Sequence, residues 1–116
     1  MSIKEIAGEL VRLCRTGNYQ EVHEKFYHEN ATSEEPQGEP AKVEGMEAIR
    51  AKGEWWANAF EYHGGSVSDP IVADNYFSVI FEMDVTNKET GKRVKDAELA
   101  VYKVEDGKIV SEQFFY

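Results

Sequence analysis

The sequence predicts an α+β fold, with helices packed on one face of an antiparallel sheet. Two observations carry that prediction. Residues 3 to 26 place apolar side chains at three- and four-residue intervals, whereas residues beyond Tyr62 alternate apolar and polar side chains with the period of a strand. Helices first and strands afterwards, in one short chain, give layers rather than a doubly wound parallel sheet. With 116 residues there is material for one hydrophobic core, so the whole chain, 1–116, is read as a single domain.

The first helix is set by Ile3, Ile6, Leu10 and Leu13 and stops at Thr16-Gly17-Asn18. Asn18 with Glu21 three residues on has the form of a capping box, and Tyr19, Val22 and Phe26 give a short second helix its apolar side. A first strand is expected from Tyr27 to Glu35. The stretch EEPQGEPAKVEG, with two prolines and two glycines, is expected as a surface loop. GMEAIRAKGEWWANAF restores helical spacing, with Ile49, Trp56 and Phe60 on one stripe.

After Tyr62 an extended run reaches Val72 and a turn falls at Ala73-Asp74-Asn75. Phe77, Val79, Phe81, Met83 and Val85 then alternate strictly, the clearest strand in the chain. NKETGKR joins it to DAELAVYKVE. Asp106-Gly107 then makes a tight primed turn, since both central positions of such a turn need positive φ. The last strand ends in Phe114, Phe115 and Tyr116, whose rings fall on alternate faces. Apolar side chains on both faces call for two covers: the helical layer, and a second copy of the protein.

Composition removes several classes of function. Thirteen basic against 22 acidic residues give a net charge of −9, which repels nucleic acid and anionic lipid surfaces. No run approaches the roughly 18 apolar residues of a membrane span, and the N-terminus lacks the pattern of a secretion signal, so a cytoplasmic location is expected. The single cysteine, Cys14, borders the stripe of the first helix and is expected as a buried, inert thiol. HEKFY, residues 23 to 27, starts like a helical zinc-protease motif but has Tyr27 where the second histidine is needed, so no metal site is supported. Neither a phosphate-binding glycine loop nor a serine elbow is present, and no cofactor is implied.

Polar residues on apolar faces are the candidates for function. Lys52 lies on the stripe of Ile49, Trp56 and Phe60. Either its stem lies along apolar surface with the charge at the rim, or it pairs with Glu35 or Glu112 inside. Glu112 shares a strand face with Val110, Phe114 and Tyr116. Counting back through the turn pairs Ser111 with Tyr102 and Phe115 with Glu98, which puts Glu98 and Tyr102 on the face opposite Glu112; one bulged residue reverses that count. Simple pairing across NKETGKR brings Glu98 near Glu82 and Asp84, with Arg93 in reach. Such a group is either an acid–base pair or an outer-face charge patch. Trp55, Trp56, Tyr62, Phe77, Phe81 and Tyr102 are expected as core and pocket wall, and their number favours an apolar or aromatic small molecule over a sugar or nucleotide.

TSEEP at 32 to 36, AKGEWW at 51 to 56, FEMDVTNKETGKR at 81 to 93, ELAVYKVEDGKIV at 98 to 110 and the closing EQFFY occur in an order that resembles the nuclear transport factor 2-like superfamily, and within it the SnoaL-like polyketide cyclase relatives. The resemblance implies a cone-shaped sheet curved around the third helix, a cavity at its wide end and a homodimer through the outer sheet face. It implies no single reaction. By analogy with isomerases and cyclases of this superfamily, the expected catalytic candidates are Glu112, Asp84 and Glu98 as base and Tyr102 or Lys52 as donor. Glu35, Trp56, Tyr62, Phe77, Phe81, Phe114 and Tyr116 are expected to line the substrate. A non-catalytic ligand-binding or structural dimer is the alternative.

Overall fold

A computed structural model describes residues 1–116. Helix α1, Ile3–Arg15, begins with a true capping box: Ser2 Oγ accepts from the Glu5 amide at 3.2 Å and Glu5 accepts from the Ser2 amide at 3.0 Å. Its inner face buries Ile6, Leu10 and Leu13 together with Ala7, Val11 and Cys14. Helix α2, Tyr19–Phe26, lacks the expected cap, because the Asn18 side chain donates to Thr16 Oγ1 (2.7 Å) instead of turning toward the helix. Val22 and Phe26 anchor it.

Strand β1, Tyr27–Glu34, follows at once. Part of the expected loop is strand: β2, Lys42–Glu44, pairs with β1, leaving irregular only the proline-containing residues before it. Gly45, at φ 94°, starts helix α3, Met46–Ala59. The extended run after it divides into β3, Phe60–Val67, and β4, Ile71–Ala73. Long strands β5, Tyr76–Asn87, and β6, Arg93–Glu105, and then β7, Lys108–Phe115, complete the chain.

The sheet has the order β2-β1-β7-β6-β5-β3, with β4 also on β5. All pairs are antiparallel except β1 with β7, so the sheet is mixed. It curves without closing, and α3 touches β1 and β2 on one side and β3 on the other, so the sheet arches around this helix. Phe77 and Val79 of β5, Ala100 and Tyr102 of β6 and Ile109 of β7 form the concave face, packed against α1 and α2 in one core. Phe77 and Tyr102, partners in register, stack at 4.8 Å. No helix is long and apolar enough to cross a membrane.

Two departures from regular pairing decide what enters the cone. In the β6–β7 hairpin, Asp106 (φ 51°) and Gly107 (φ 75°) form the expected turn, and Glu105 pairs with Lys108 and Val104 with Ile109. The next pair is Lys103 with Ser111, so Val110 is an extra residue. The simple count across this hairpin is therefore corrected: Glu112, not Ser111, faces Tyr102, and Glu98 lies on the same face as Glu112. In the β1–β7 pair, Tyr27 aligns with Ile109 but Thr32 with Ser111, so residues 28 to 31 bow out of β1. Tyr27, Ala31 and Ser33 are nevertheless all buried.

The expected grouping of Glu98 with Glu82 and Asp84 is also corrected. Thr86 pairs with Arg93, and that register sets Glu98 opposite Phe81 and Asp84 opposite Lys95, on the other face. Asp84 there accepts two hydrogen bonds from Arg93, both 2.9 Å. This bidentate contact holds its carboxyl below the usual range.

Candidate functional site

Glu112 lies at the centre of the concave face and is 7% exposed. A buried carboxylate needs donors, and two are supplied by β1. Ser33, its register partner in the parallel pair, donates to Oε2 at 2.6 Å. The Tyr27 hydroxyl donates to Oε1. Burial raises the carboxyl pKa of Glu112, while these two donors and Lys52 oppose the rise. The Tyr27 phenol itself is pushed well above its ordinary range, first by burial and then by the Glu112 charge, so it stays a neutral donor.

From Ser33 the network runs outward. Lys52 of α3 donates to Ser33 Oγ at 2.7 Å and pairs with Glu35 Oε2 at 2.5 Å, and its ammonium lies 5.0 Å from the centre of the Phe114 ring. Tyr116 donates to the other Glu35 oxygen at 2.9 Å. Both readings of Lys52 thus hold in part: its partner is Glu35, and the pair is half-buried at the rim. Three elements contribute: β1 with the residue that follows it, α3, and β7 with the residue that follows it.

Glu98 is the third carboxyl group here. It sits on the concave face of β6, half-buried, opposite Phe81 and one residue from Leu99, which pairs with Phe115. No side chain donates to it. Its pKa is raised from 4.5 to about 7, first by burial, then by the Glu35 charge, with Lys52 acting against the rise and Glu112 adding to it. Three carboxylates around one ammonium cannot all ionise freely, and the strain falls on the member without donors. Tyr102, opposite Glu112, is also kept a neutral phenol by burial and by that carboxyl. Tyr102 is itself buried in the core, only 3% exposed.

The structure thus brings together Glu112, Glu98, Tyr102, Lys52, Glu35, Phe81, Phe114 and Tyr116, with Trp56 half-buried on the same side of α3 as Lys52. Phe77 is sealed core rather than an open wall. Tyr62 (51% exposed) and Trp55 (65% exposed) are not core, and Asp84 is engaged by Arg93 on the outer face. Sequence reasoning missed Tyr27 and Ser33. The odd-position alternation that runs through Tyr27, Ala31, Ser33 and Glu35 was a usable signal for both, although the irregularity between Tyr27 and Thr32 sets where each meets β7. Cys14 is buried as expected, and burial and the Glu112 charge push its thiol up to about 12.

Comparison with known proteins adds the lineage. A crystal structure from Mesorhizobium loti, provisionally assigned as a SnoaL-like polyketide cyclase and also labelled a carbohydrate phosphatase, is 40% identical, with a TM-score of 0.96 and full coverage of both chains. A nuclear transport factor 2-like protein of unknown function from Burkholderia pseudomallei (15% identity, TM-score 0.80, covering 100% of this chain and 92% of that one) has the same fold. So does a protein of unknown function with a cystatin-like fold from Xanthomonas campestris (17%, 0.79, 99% and 90%). No curated protein matches. The model of the SnoaL-like domain matches residues 1–116, and with that full-length match the chain belongs to the SnoaL-like family.

Proposed function

We propose that this protein is a proton-transfer enzyme of the isomerase or cyclase type, acting on an apolar or aromatic small molecule with an acidic C–H beside a carbonyl. The observation that supports this most is Glu98: an inward-facing carboxyl, free of side-chain donors, with a pKa near 7. A general base works best when its pKa lies near the working pH. Glu112 is less suited, because both of its oxygens already accept hydrogen bonds.

In this reading a Glu98 oxygen takes the proton from carbon, the electron pair of the C–H bond forms a C=C bond, and the π pair of the C=O bond moves onto the carbonyl oxygen. The Tyr102 hydroxyl or the Lys52 ammonium stabilises that enolate oxygen. Return of the proton to a different carbon completes an isomerisation. Alternatively, the enolate carbon attacks a second carbonyl and Glu98 returns its proton to the alkoxide, which closes a ring. Trp56, Phe81 and Phe114 hold the apolar body of the substrate. Such chemistry needs no cofactor, and a chain with net charge −9 is poorly suited to nucleic acid or anionic membranes.

We also propose that the protein works as a homodimer. Ile80, Leu99 and Phe115 are exposed, and they form one row across β5, β6 and β7 on the convex face. An apolar row on an otherwise charged protein fits a self-complementary contact.

The enzymatic reading is tested by incubating the protein in D2O with a panel of cyclic unsaturated ketones and aromatic β-diketones. Catalysed deuterium uptake at the activated carbon, abolished in Glu98→Gln, is expected. Saturable binding of the same compounds with no exchange above background would overturn it in favour of a binding protein.

A further inference from the structure

A second feature owes nothing to the Glu98 site. Between the last turn of α3 and the β5–β6 hairpin lies a groove of about 400 Å³, within the size range of small-molecule sites, lined by Trp55, Asn58, Ala59, Phe60, Asn87, Lys88 and Glu89. Its base is aromatic and fixed. Phe60 is stacked on Trp56 at 5.5 Å on one side and meets Trp55 nearly edge-on at 6.3 Å, with 78° between the planes. Phe60 thus props the Trp55 indole in place while 65% of that residue stays exposed. The hairpin wall is equally fixed, since the Lys88 amide donates to the Ala59 carbonyl at 3.0 Å, tying the hairpin to the end of the helix.

The polar groups around this indole are positioned but unspent. Asn87 Oδ1 accepts from the amides of Glu89 (2.9 Å) and Thr90 (3.3 Å), which holds the side chain rigid and leaves its NH2 free to donate. Asn58 is exposed at the end of α3. Lys88 and Glu89 take part in none of the ion pairs of the chain. The groove that holds this apolar platform is therefore also lined by two amides, an ammonium and a carboxylate, which together offer both donors and acceptors. That arrangement complements a neutral ring with an apolar C–H face and hydroxyls around its perimeter, which can both donate and accept. A phosphate-bearing ligand is disfavoured by the −9 charge and by Glu89, and a wholly apolar ligand would leave the polar rim unpaired.

We infer that the Trp55 groove is a saccharide-binding site that stacks one neutral pyranose ring on the indole and engages its hydroxyls through Asn58, Asn87, Lys88 and Glu89.

The test is a titration of the indole N–H signals in two-dimensional 1H–15N NMR spectra. The two tryptophans are assigned with a Trp55→Phe variant, and the probes are D-glucose, cellobiose, maltose and adenosine. The expected result is a saturable shift of the Trp55 signal with at least one of the sugars and little change at Trp56. Asn58→Ala, at an exposed position, should keep the folded spectrum and weaken that binding about tenfold, the effect of one lost hydrogen bond. Three results would overturn the inference: no saturable shift with any sugar, a response to adenosine alone, or sugar binding that Asn58→Ala and Trp55→Phe both leave unchanged.

Discussion

Tyr102 faces Glu112 across the β6–β7 pair because Val110 is bulged out between Ile109 and Ser111. Had the hairpin run without that extra residue, Glu112 would meet Tyr27 and Ser33 while Glu98 and Tyr102 pointed to the convex face. The bulge therefore assembles the site from strands whose tight turn alone would have kept its members apart.

The hydrogen bonds to Glu112 give a sign-reversing prediction. Glu112→Leu leaves the Tyr27 hydroxyl and Ser33 buried without their acceptor, at a cost of about 1–3 kcal/mol for each unsatisfied group. Tyr27→Phe alone should destabilise the protein, but added to Glu112→Leu it should recover part of the loss. Urea unfolding of the two single variants and the double variant measures the coupling.

Glu98 has the opposite character. Its folded-state pKa, about 7, is raised above the ordinary 4.5, so the folded protein binds the proton more tightly than the unfolded chain. The stabilising effect of that proton is complete below about 4.5 and is lost as pH rises through 7. Glu98→Gln should then match the wild type near pH 4.5 and be more stable at pH 8. The gain is about 1–2 kcal/mol, after allowing for solvent screening of this half-buried group. Paired urea titrations at the two pH values check it.

Much of the framework was legible in the sequence because its signals are local. The stripe from Ile3 to Leu13, the alternation from Phe77 to Val85 and the Asp106-Gly107 turn each depend on near neighbours, and each element formed where those residues predict. What stayed hidden depends on register. Val110 looks like any strand valine, yet its extra place in the hairpin reverses the facing of Glu98 and Tyr102 relative to Glu112. The bow at residues 28 to 31 likewise decides that Tyr27 aligns with Ile109 while Ser33 aligns with Glu112, and the exposure of Trp55 follows from which side of α3 the sheet leaves uncovered. Lys52 was recognisable as an anomaly, but only packing selects Glu35 as its partner.

Two glycines separate packing from propensity. A Cβ on Gly65 would lie 2.1 Å from the Glu82 carbonyl oxygen across the β3–β5 pair, so Gly65→Ala must push the strands apart and should cost about 1–3 kcal/mol or more. Gly53, exposed on α3 with open space around it, should instead gain up to about 1 kcal/mol as alanine. Thermal unfolding of both variants should move in opposite directions.

The convex apolar row gives a test of assembly. Leu99→Glu puts a charge between Ile80 and Phe115 and should convert a dimer to a monomer in sedimentation velocity while leaving the far-ultraviolet circular dichroism unchanged. Wild-type protein that sediments as a monomer at high concentration would contradict the dimer.

The most direct test of the central claim is the titration of the Glu98 carboxyl by 13C NMR, with the signal assigned from Glu98→Gln. A midpoint near 7 is expected, with a further rise when Lys52→Met removes the nearby ammonium that now opposes it. A midpoint in the ordinary carboxylate range, near 4.5, would leave the concave face without a base suited to neutral pH and would contradict the proposed chemistry.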